Sequence, residues 1–246
     1  MKTLHTLTAV AAAALLASCG GGSDSRGSLR ETPTTLATLT AAQIDAATAA
    51  SGLQALSGKA KCDVKVVALN YITVGAQGNE ETNASGVMLV PGGTCTGPFP
   101  LVAYAKGTDV QKPRTLANPA DSETGLLMAM YAAQGYAVVA TDYLGFAKSG
   151  YSYHPYLHAD SEATSIIDAI RAARGAASMQ GIGLSGKVML TGYSQPPRWH
   201  RFVVAPLGLR ERIIDLIEAE AQNARSGRPA ARRCASSRTL RCSWRR

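Results

Sequence analysis

Histidine is scarce in this 246-residue chain, and residues 196–246 contain neither lysine nor tyrosine. Residues 1–195 hold 13 Lys plus Arg and 13 Asp plus Glu, whereas residues 196–246 hold 12 Arg and four acidic residues. The whole net charge of +8 therefore belongs to the last fifth of the chain. Native basic tails usually mix lysine with arginine. The balanced charge of the first 195 residues gives no indication of an anionic partner for that part, and the composition after residue 195 favours a frameshift or an insertion there. A native basic tail is the alternative.

The apolar run near the amino terminus is short. It extends from Leu7 to Leu16, too few residues for a permanent membrane-spanning helix. With Lys2 before it, the run is typical of an export signal. It ends in Leu16-Ala17-Ser18-Cys19, which resembles the lipobox of bacterial lipoproteins and predicts a lipid anchor on Cys19 in a bacterial membrane, with the outer membrane favoured. An ordinary cleaved signal peptide, a secreted product and a chance cysteine form the alternative. We therefore predict a signal peptide over residues 1–19 and a flexible tether over residues 20–39.

Export bears on the remaining cysteines. Cys62 and Cys95 flank the first two predicted strands, and an oxidising compartment allows them to form a disulfide. Two buried free thiols are the alternative. Cys234 and Cys242 have a spacing that matches no familiar metal site, so no metal is predicted.

Strand and helix patterns alternate through the middle of the chain. Thr40 and Gln43 form a capping-box pair that opens a predicted helix to about Leu56. Further helices are predicted over 122–134 and 160–177, and strands over 64–74, 85–90, 100–105, 136–141 and 187–191. Antiparallel opening strands followed by β-α repeats predict an α/β fold with a mostly parallel sheet, in which the strands after the second predicted strand are the parallel ones.

A nucleophile motif follows the last of these strands. Residues 192–195 read Gly-Tyr-Ser-Gln, the first four positions of a Gly-x-Ser-x-Gly turn, and Pro196 stands where the closing glycine belongs. Such a strand-to-helix turn exposes the serine hydroxyl and directs the next backbone N–H toward a developing oxyanion. A proline in this place also disfavours helical dihedral angles at Gln195. The motif makes Ser194 a candidate nucleophile.

Several segments of residues 40–195 resemble the secreted lipase and esterase branch of the α/β-hydrolase superfamily. They are residues 103–108 (AYAKGT), 135–145 (GYAVVATDYLG), 154–157 (HPYL) and 192–195 (GYSQ). Family members usually carry a histidine before the glycine of the first segment, and this chain has Lys106. The resemblance implies an α/β-hydrolase fold, Ser194 as the nucleophile, the backbone N–H groups of Thr108 and Gln195 as oxyanion donors, an ester or lipid substrate, and no cofactor.

The partners that a catalytic serine needs are missing after Ser194. In the family, the acid and then the histidine follow the serine on later loops. The single downstream histidine, His200, precedes every downstream acid. We therefore expect the hydrolase domain of residues 40–195 to be incomplete after its nucleophile strand, and the chain to be inactive or nearly so. His158 as a substitute base is a minor alternative. A non-catalytic surface lipoprotein that binds an anionic partner through residues 196–246 is the alternative function; nucleic acid is not expected as a partner.

Overall fold

The computed structural model describes residues 26–77 and 80–192. Cys19, Ser194, Gln195, the predicted signal peptide and the predicted non-family tail lie outside the described residues. Within the described ranges, six strands form one sheet in the order β1-β2-β3-β5-β4-β6. The strands are β1 (Thr34–Leu39), β2 (Asp63–Val74), β3 (Glu81–Gly92), β4 (Phe99–Ala105), β5 (Ala137–Thr141) and β6 (Leu184–Gly192). The helices are α1 (Ala41–Ser51), α2 (Gln54–Ser57), α3 (Ser122–Met130) and α4 (Ala159–Met179), with a 3₁₀ turn at Ala132–Gln134.

The sheet is mixed. β4 pairs in parallel with both β5 and β6, as the β-α repeats predict. β1, β2 and β3 pair antiparallel in chain order, and β3 joins β5 antiparallel. The later strands β4, β5 and β6 are therefore parallel to one another as predicted, and the antiparallel opening meander of β1, β2 and β3 makes the sheet of the described strands mixed rather than mostly parallel. The α/β-hydrolase-like architecture itself is confirmed.

Helices cover both faces of the sheet. One apolar cluster lies between the sheet and α4, where Ile166, Ile170 and Ala173 point inward as their helical spacing predicts. The other lies between the opposite face and α1, α3 and the 3₁₀ turn, and it includes Ile44, Leu127 and Met128 along with strand residues. Alternate residues of β3 contribute to the two clusters, because successive strand side chains point to opposite faces. No helix among the described residues is both long enough and apolar enough to cross a membrane.

Two helix boundaries differ from the sequence prediction. The capping box at Thr40 and Gln43 is confirmed, but α1 ends at Ser51 because Gly52 adopts a left-handed conformation with φ of 74°. The helix predicted over 122–134 ends at Met130, because Tyr131 leaves helical dihedral angles with φ of −126° before the 3₁₀ turn begins.

The segment predicted as a flexible tether is ordered in its second half. Gly27 N–H donates to the carbonyl of Ile72 at 2.8 Å, and β1 pairs along β2. The tether prediction is therefore wrong for residues 26–39, because the threonine-rich strand β1 extends the sheet at its edge.

A disulfide joins Cys62 to Cys95 with their Cα atoms 5.4 Å apart. It lies at the open end of the β2–β3 hairpin, next to the pair of Asp63 and Gly92. Cys62 is fully buried, and its N–H donates to the carbonyl of Ala133 at 3.1 Å. The disulfide therefore joins the residue before β2 to the segment after β3, and Cys62 also contacts the 3₁₀ turn.

Candidate active site

The carboxyl ends of β4, β5 and β6 lie at one edge of the sheet. Because β4 and β6 are parallel and in register, Tyr104 is opposite Thr191 and Ala105 is opposite Gly192. A β-carbon on Gly192 would overlap the carbonyl oxygen of Ala105 and lie 2.7 Å from its Cβ. Only glycine fits this approach. The chain thus leaves β6 beside the end of β4 and enters the predicted nucleophile turn, whose Ser194 and Gln195 lie outside the described residues.

The loop after β4 contains the second predicted oxyanion donor. Thr108 is exposed, whereas Lys106, two positions earlier, is 1 % exposed. Lys106 Nζ lies 2.9 Å from Oδ2 of Asp109 and 4.9 Å from the ring centroid of Phe146. Thr108 therefore lies in the loop that starts after Ala105, the residue opposite Gly192, and between two residues that form a buried ion pair.

An ion-pair network extends from this loop to the start of α3. The Arg114 guanidinium contacts Asp109 at 3.0 Å, Asp121 at 2.9 Å and Glu123 at 2.8 Å. Asp121 also caps α3 by accepting the N–H groups of Glu123 and Thr124. Burial would raise the pKa of Asp109, but hydrogen bonds from Gln111 N–H and the Lys106 ammonium outweigh it and lower that pKa to about 2. Asp109 is therefore ionised at neutral pH.

A second buried carboxylate, Asp142, lies directly after β5. It accepts hydrogen bonds from Leu116 N–H at 2.7 Å, Ser85 Oγ at 2.7 Å and Thr115 Oγ1 at 2.9 Å. Burial raises the pKa of Asp142, and these three donors oppose the rise. One side chain thereby ties the loop after β4 to β3 and β5.

Tyr143 connects the segment after β5 to the loop after β4. Its φ of 69° is in the left-handed region, which is unusual for a residue with a β-carbon. Its N–H donates to Thr141 Oγ1 at 3.0 Å, and its buried hydroxyl donates to the carbonyl of Lys106 at 3.4 Å. Burial raises the pKa of the Tyr143 hydroxyl, so the group remains a donor at neutral pH. Strained backbone held in this way is concentrated at functional sites.

The two described histidines of this region have structural contacts. His154 Nδ1 donates to the carbonyl of Leu144 at 3.0 Å, and its ring packs 4.6 Å from that of Phe146. His158 is the amino-terminal cap of α4, where its Nδ1 accepts the N–H of Ser161 at 3.2 Å. An Nδ1 that accepts this bond carries no proton, so in the neutral ring the proton is on Nε2. Neither nitrogen of His158 then has a lone pair available for a serine proton.

Sequence reasoning found the loop of Thr108 and missed the two groups that hold it. Asp142 lies in a segment that the resemblance covers, but its partners Ser85 and Leu116 are distant in the sequence. Arg114 has its partners Asp109, Asp121 and Glu123 within nine positions, but no short motif marks them. The available signal was Asp142 directly after a buried strand, because a carboxylate in that position needs buried hydrogen-bond donors from other segments. Among residues 26–77 and 80–192, no group of three or more His, Cys, Asp or Glu side chains is arranged to hold a metal ion.

Comparisons with known proteins agree with this geometry. Residues 114–197 match the secretory lipase family. The fold matches a ligand-bound crystal structure of the rice cell wall degrading esterase LipA from Xanthomonas oryzae at 42% identity and a TM-score of 0.63, over 70% of this chain and 43% of that one. These matches are consistent with the lipase and esterase branch of the α/β-hydrolases, whose fold the described residues share. No curated protein sequence matches it significantly.

Two further structures support membership of this hydrolase branch. Another crystal structure of LipA matches at 39% identity and a TM-score of 0.64, over 80% of this chain and 47% of that one. A proposed hydrolase from Legionella pneumophila matches at 25% identity and a TM-score of 0.61, over 68% of this chain and 44% of that one. This α/β-hydrolase chain thus spans less than half the length of the structures that it matches. Neither comparison favours the alternative of a non-catalytic binding protein.

Proposed function

We propose that this chain derives from an exported carboxylic ester hydrolase that works through an acyl-serine intermediate. The observation that carries the proposal is the pairing of Ala105 with Gly192. Through this pairing, the loop of Thr108 starts opposite Gly192, which is two residues before Ser194. A nucleophile and an oxyanion donor need to meet within a few ångströms of one ester carbonyl.

The proposed reaction has two steps. The Ser194 hydroxyl loses its proton and attacks the ester carbonyl carbon, and the N–H groups of Thr108 and Gln195 stabilise the resulting oxyanion. The carbon–oxygen bond to the alcohol then breaks, the alcohol leaves with a proton, and the acyl-serine is hydrolysed by water to the free acid. The named relative, a rice cell wall degrading esterase, makes esters of plant cell wall material a reasonable substrate class.

We further propose that the 246-residue chain has little activity by itself. A serine hydroxyl is a weak nucleophile until a base accepts its proton. His158 uses its Nδ1 lone pair to cap α4, and His200 precedes every acid after Ser194. Without a base, an oxyanion hole and substrate binding supply roughly 10³–10⁴-fold acceleration over water.

Hydrolysis of p-nitrophenyl butyrate tests both parts. We expect a turnover number far below ~1 s⁻¹, the low end of typical enzymes, and about the same residual rate in Ser194→Ala, because a serine without its base adds little to the oxyanion hole and substrate binding. Ser185→Ala, at the opposite end of β6, is the matched control and should retain the wild-type rate. Turnover of the wild-type chain at tens per second would contradict the missing base, and if Ser194→Ala kept that fast rate it would contradict the nucleophile as well.

The nucleotide sequence tests the origin of residues 196–246. We expect another reading frame after codon 195 to encode a small-residue helix followed by strands with an acid and a histidine. If no frame does so, the proposal of a frameshift is wrong and a native tail takes its place.

Export and anchoring are proposed from Cys19 and from the match to a secretory family. Metabolic labelling with a radioactive fatty acid should label the wild-type chain and not Cys19→Ser. Labelling that is equal in the two proteins would contradict the lipidation of Cys19.

A further inference from the structure

The loop that presents Thr108 is closed by a buried ion pair. Lys106 and Asp109 lie on either side of Gly107 and Thr108, with Nζ and Oδ2 2.9 Å apart. Their side chains are 1% and 5% exposed, whereas Thr108 between them is exposed. The pair therefore links the two ends of a four-residue turn beneath its exposed residue.

Each end of the turn is also held by the surrounding protein. On the far side, Asp109 Oδ1 accepts the N–H groups of Val110 at 2.8 Å and Gln111 at 3.1 Å. Its Oδ2 also takes the Arg114 guanidinium at 3.0 Å. Because these bonds fix both the carboxylate and the backbone after it, Asp109 is a rigid anchor for the lysine.

The near end of the turn is fixed through the backbone carbonyl and the ammonium of Lys106. Its carbonyl accepts the Tyr143 hydroxyl at 3.4 Å, and its ammonium lies 4.9 Å from the Phe146 ring centroid. Transfer of an ammonium from water into the protein interior is costly, and an opposite charge offsets that cost only in a well-defined geometry. A buried lysine at this position thus restrains the turn to conformations that keep Nζ on Asp109.

We propose that the Lys106–Asp109 pair is an electrostatic brace that positions the Thr108 N–H for the oxyanion. Both are positioning residues, since they act through the backbone between them. The proposal rests on the proposed function for the role of Thr108. It gives Lys106 a task in this chain at the place where the family usually has a histidine.

The test compares amide hydrogen exchange in ¹⁵N-labelled full-length protein. Lys106→Met removes the ammonium and retains most of the apolar stem, while Arg114 continues to neutralise Asp109. We expect exchange at Gly107 and Thr108 to become at least tenfold faster, with exchange in the β2–β3 hairpin unchanged. Lys148→Met is the matched control, because it breaks the exposed pair with Glu31 and should leave the turn as it is.

A second variant separates the brace from a general loss of packing. Asp109→Asn keeps an oxygen acceptor for Val110 and Gln111 but removes the charge. If the two residues act as one brace, amide exchange at Thr108 in the double variant Lys106→Met/Asp109→Asn should be no faster than in the faster of the two single variants. The carboxyl signal of Asp109 supplies an electrostatic readout, since its midpoint should move upward from about pH 2 in Lys106→Met.

Three results would overturn the brace: additive effects of the two substitutions, exchange at Thr108 no faster in Lys106→Met than in Lys148→Met, or an unmoved Asp109 midpoint. These measurements need no turnover, so they are independent of the serine assignment. If they hold while wild type and Ser194→Ala both turn over esters at tens per second, the brace stands and the nucleophile is wrong. The reverse pattern retains the nucleophile and removes the brace.

Discussion

Replacement of Cys62 and Cys95 together by alanine should lower the free energy of unfolding by about 4 kcal/mol. The disulfide joins residues 33 positions apart. In the chain-entropy account, a cross-link stabilises the fold by restricting the unfolded chain, by ~3 kcal/mol for a 15-residue loop and ~4.7 kcal/mol for a 100-residue loop. The loop closed by Cys62 and Cys95 falls between these limits. Such a loss is large against the ~5–15 kcal/mol that stabilises a typical domain.

The folded structure should survive the loss of this bond. β2 and β3 pair over twelve residues, from Asp63 with Gly92 to Val74 with Glu81, so the ladder holds the hairpin without the disulfide. Cys62 is fully buried, and alanine there loses a sulfur atom without introducing a polar group. The main effect therefore belongs to the unfolded state, and the native circular dichroism spectrum should not change.

Urea unfolding followed by circular dichroism measures the effect in a background where Cys19, Cys234 and Cys242 are serine. Because either single alanine variant also lacks the bond, each should lose nearly as much stability as the double variant. A reducing agent should shift the parent protein to the midpoint of the double variant and leave the double variant unchanged. Equal midpoints for the oxidised parent and the double variant would refute the reasoning, as would two reactive thiols in the unfolded, non-reduced parent.

Three further predictions concern the candidate site. Asp142→Asn should change the free energy of unfolding little, because the amide oxygen can still accept the N–H of Leu116. Asp142→Ala should lower it by ~1–3 kcal/mol, because that buried donor is left unsatisfied, and urea midpoints of the two variants measure the difference. The folded-state pKa of Asp109 is about 2, below the ordinary 3.8. Its ionised carboxylate therefore stabilises the fold by about 2 kcal/mol above pH 4, and this contribution is lost as the pH falls through 2. Acid unfolding should begin at a higher pH in Lys106→Met than in the wild-type protein. Gly192→Ala should cost ~1–3 kcal/mol by pushing β6 away from Ala105, and an unchanged melting temperature would contradict the close approach.

Elements with a strong local signal were predictable from the sequence. β2 combines β-branched and aromatic residues, and α4 has isoleucines and alanines at helical spacing, so both agree with the structure to within two residues. β1 was missed because its residues are mostly threonine and leucine on an exposed edge, with no buried position. The pairing of a partly exposed edge strand depends on its neighbour β2, which no local pattern encodes.

The candidate site was predictable only as far as short motifs extend. Lys106, Gly107 and Thr108 are contiguous, so their loop could be located from its preceding strand. Asp142 depends on Ser85, 57 positions earlier, and on Leu116, 26 positions earlier. A contact between segments so far apart arises from sheet order, with β5 inserted between β3 and β4, and this order is not written in any one segment.

The sheet order also explains how the loops at the carboxyl ends of β4 and β5 are held together. β5 lies between β3 and β4, so a carboxylate directly after β5 can reach both neighbours, and Asp142 does so through Ser85 and Leu116. Tyr143 then fixes the carbonyl of Lys106, the first residue of the braced turn. None of these contacts uses an atom beyond Gly192. The described contacts that hold the loop of Thr108 therefore all come from residues that precede Ser194, the proposed nucleophile.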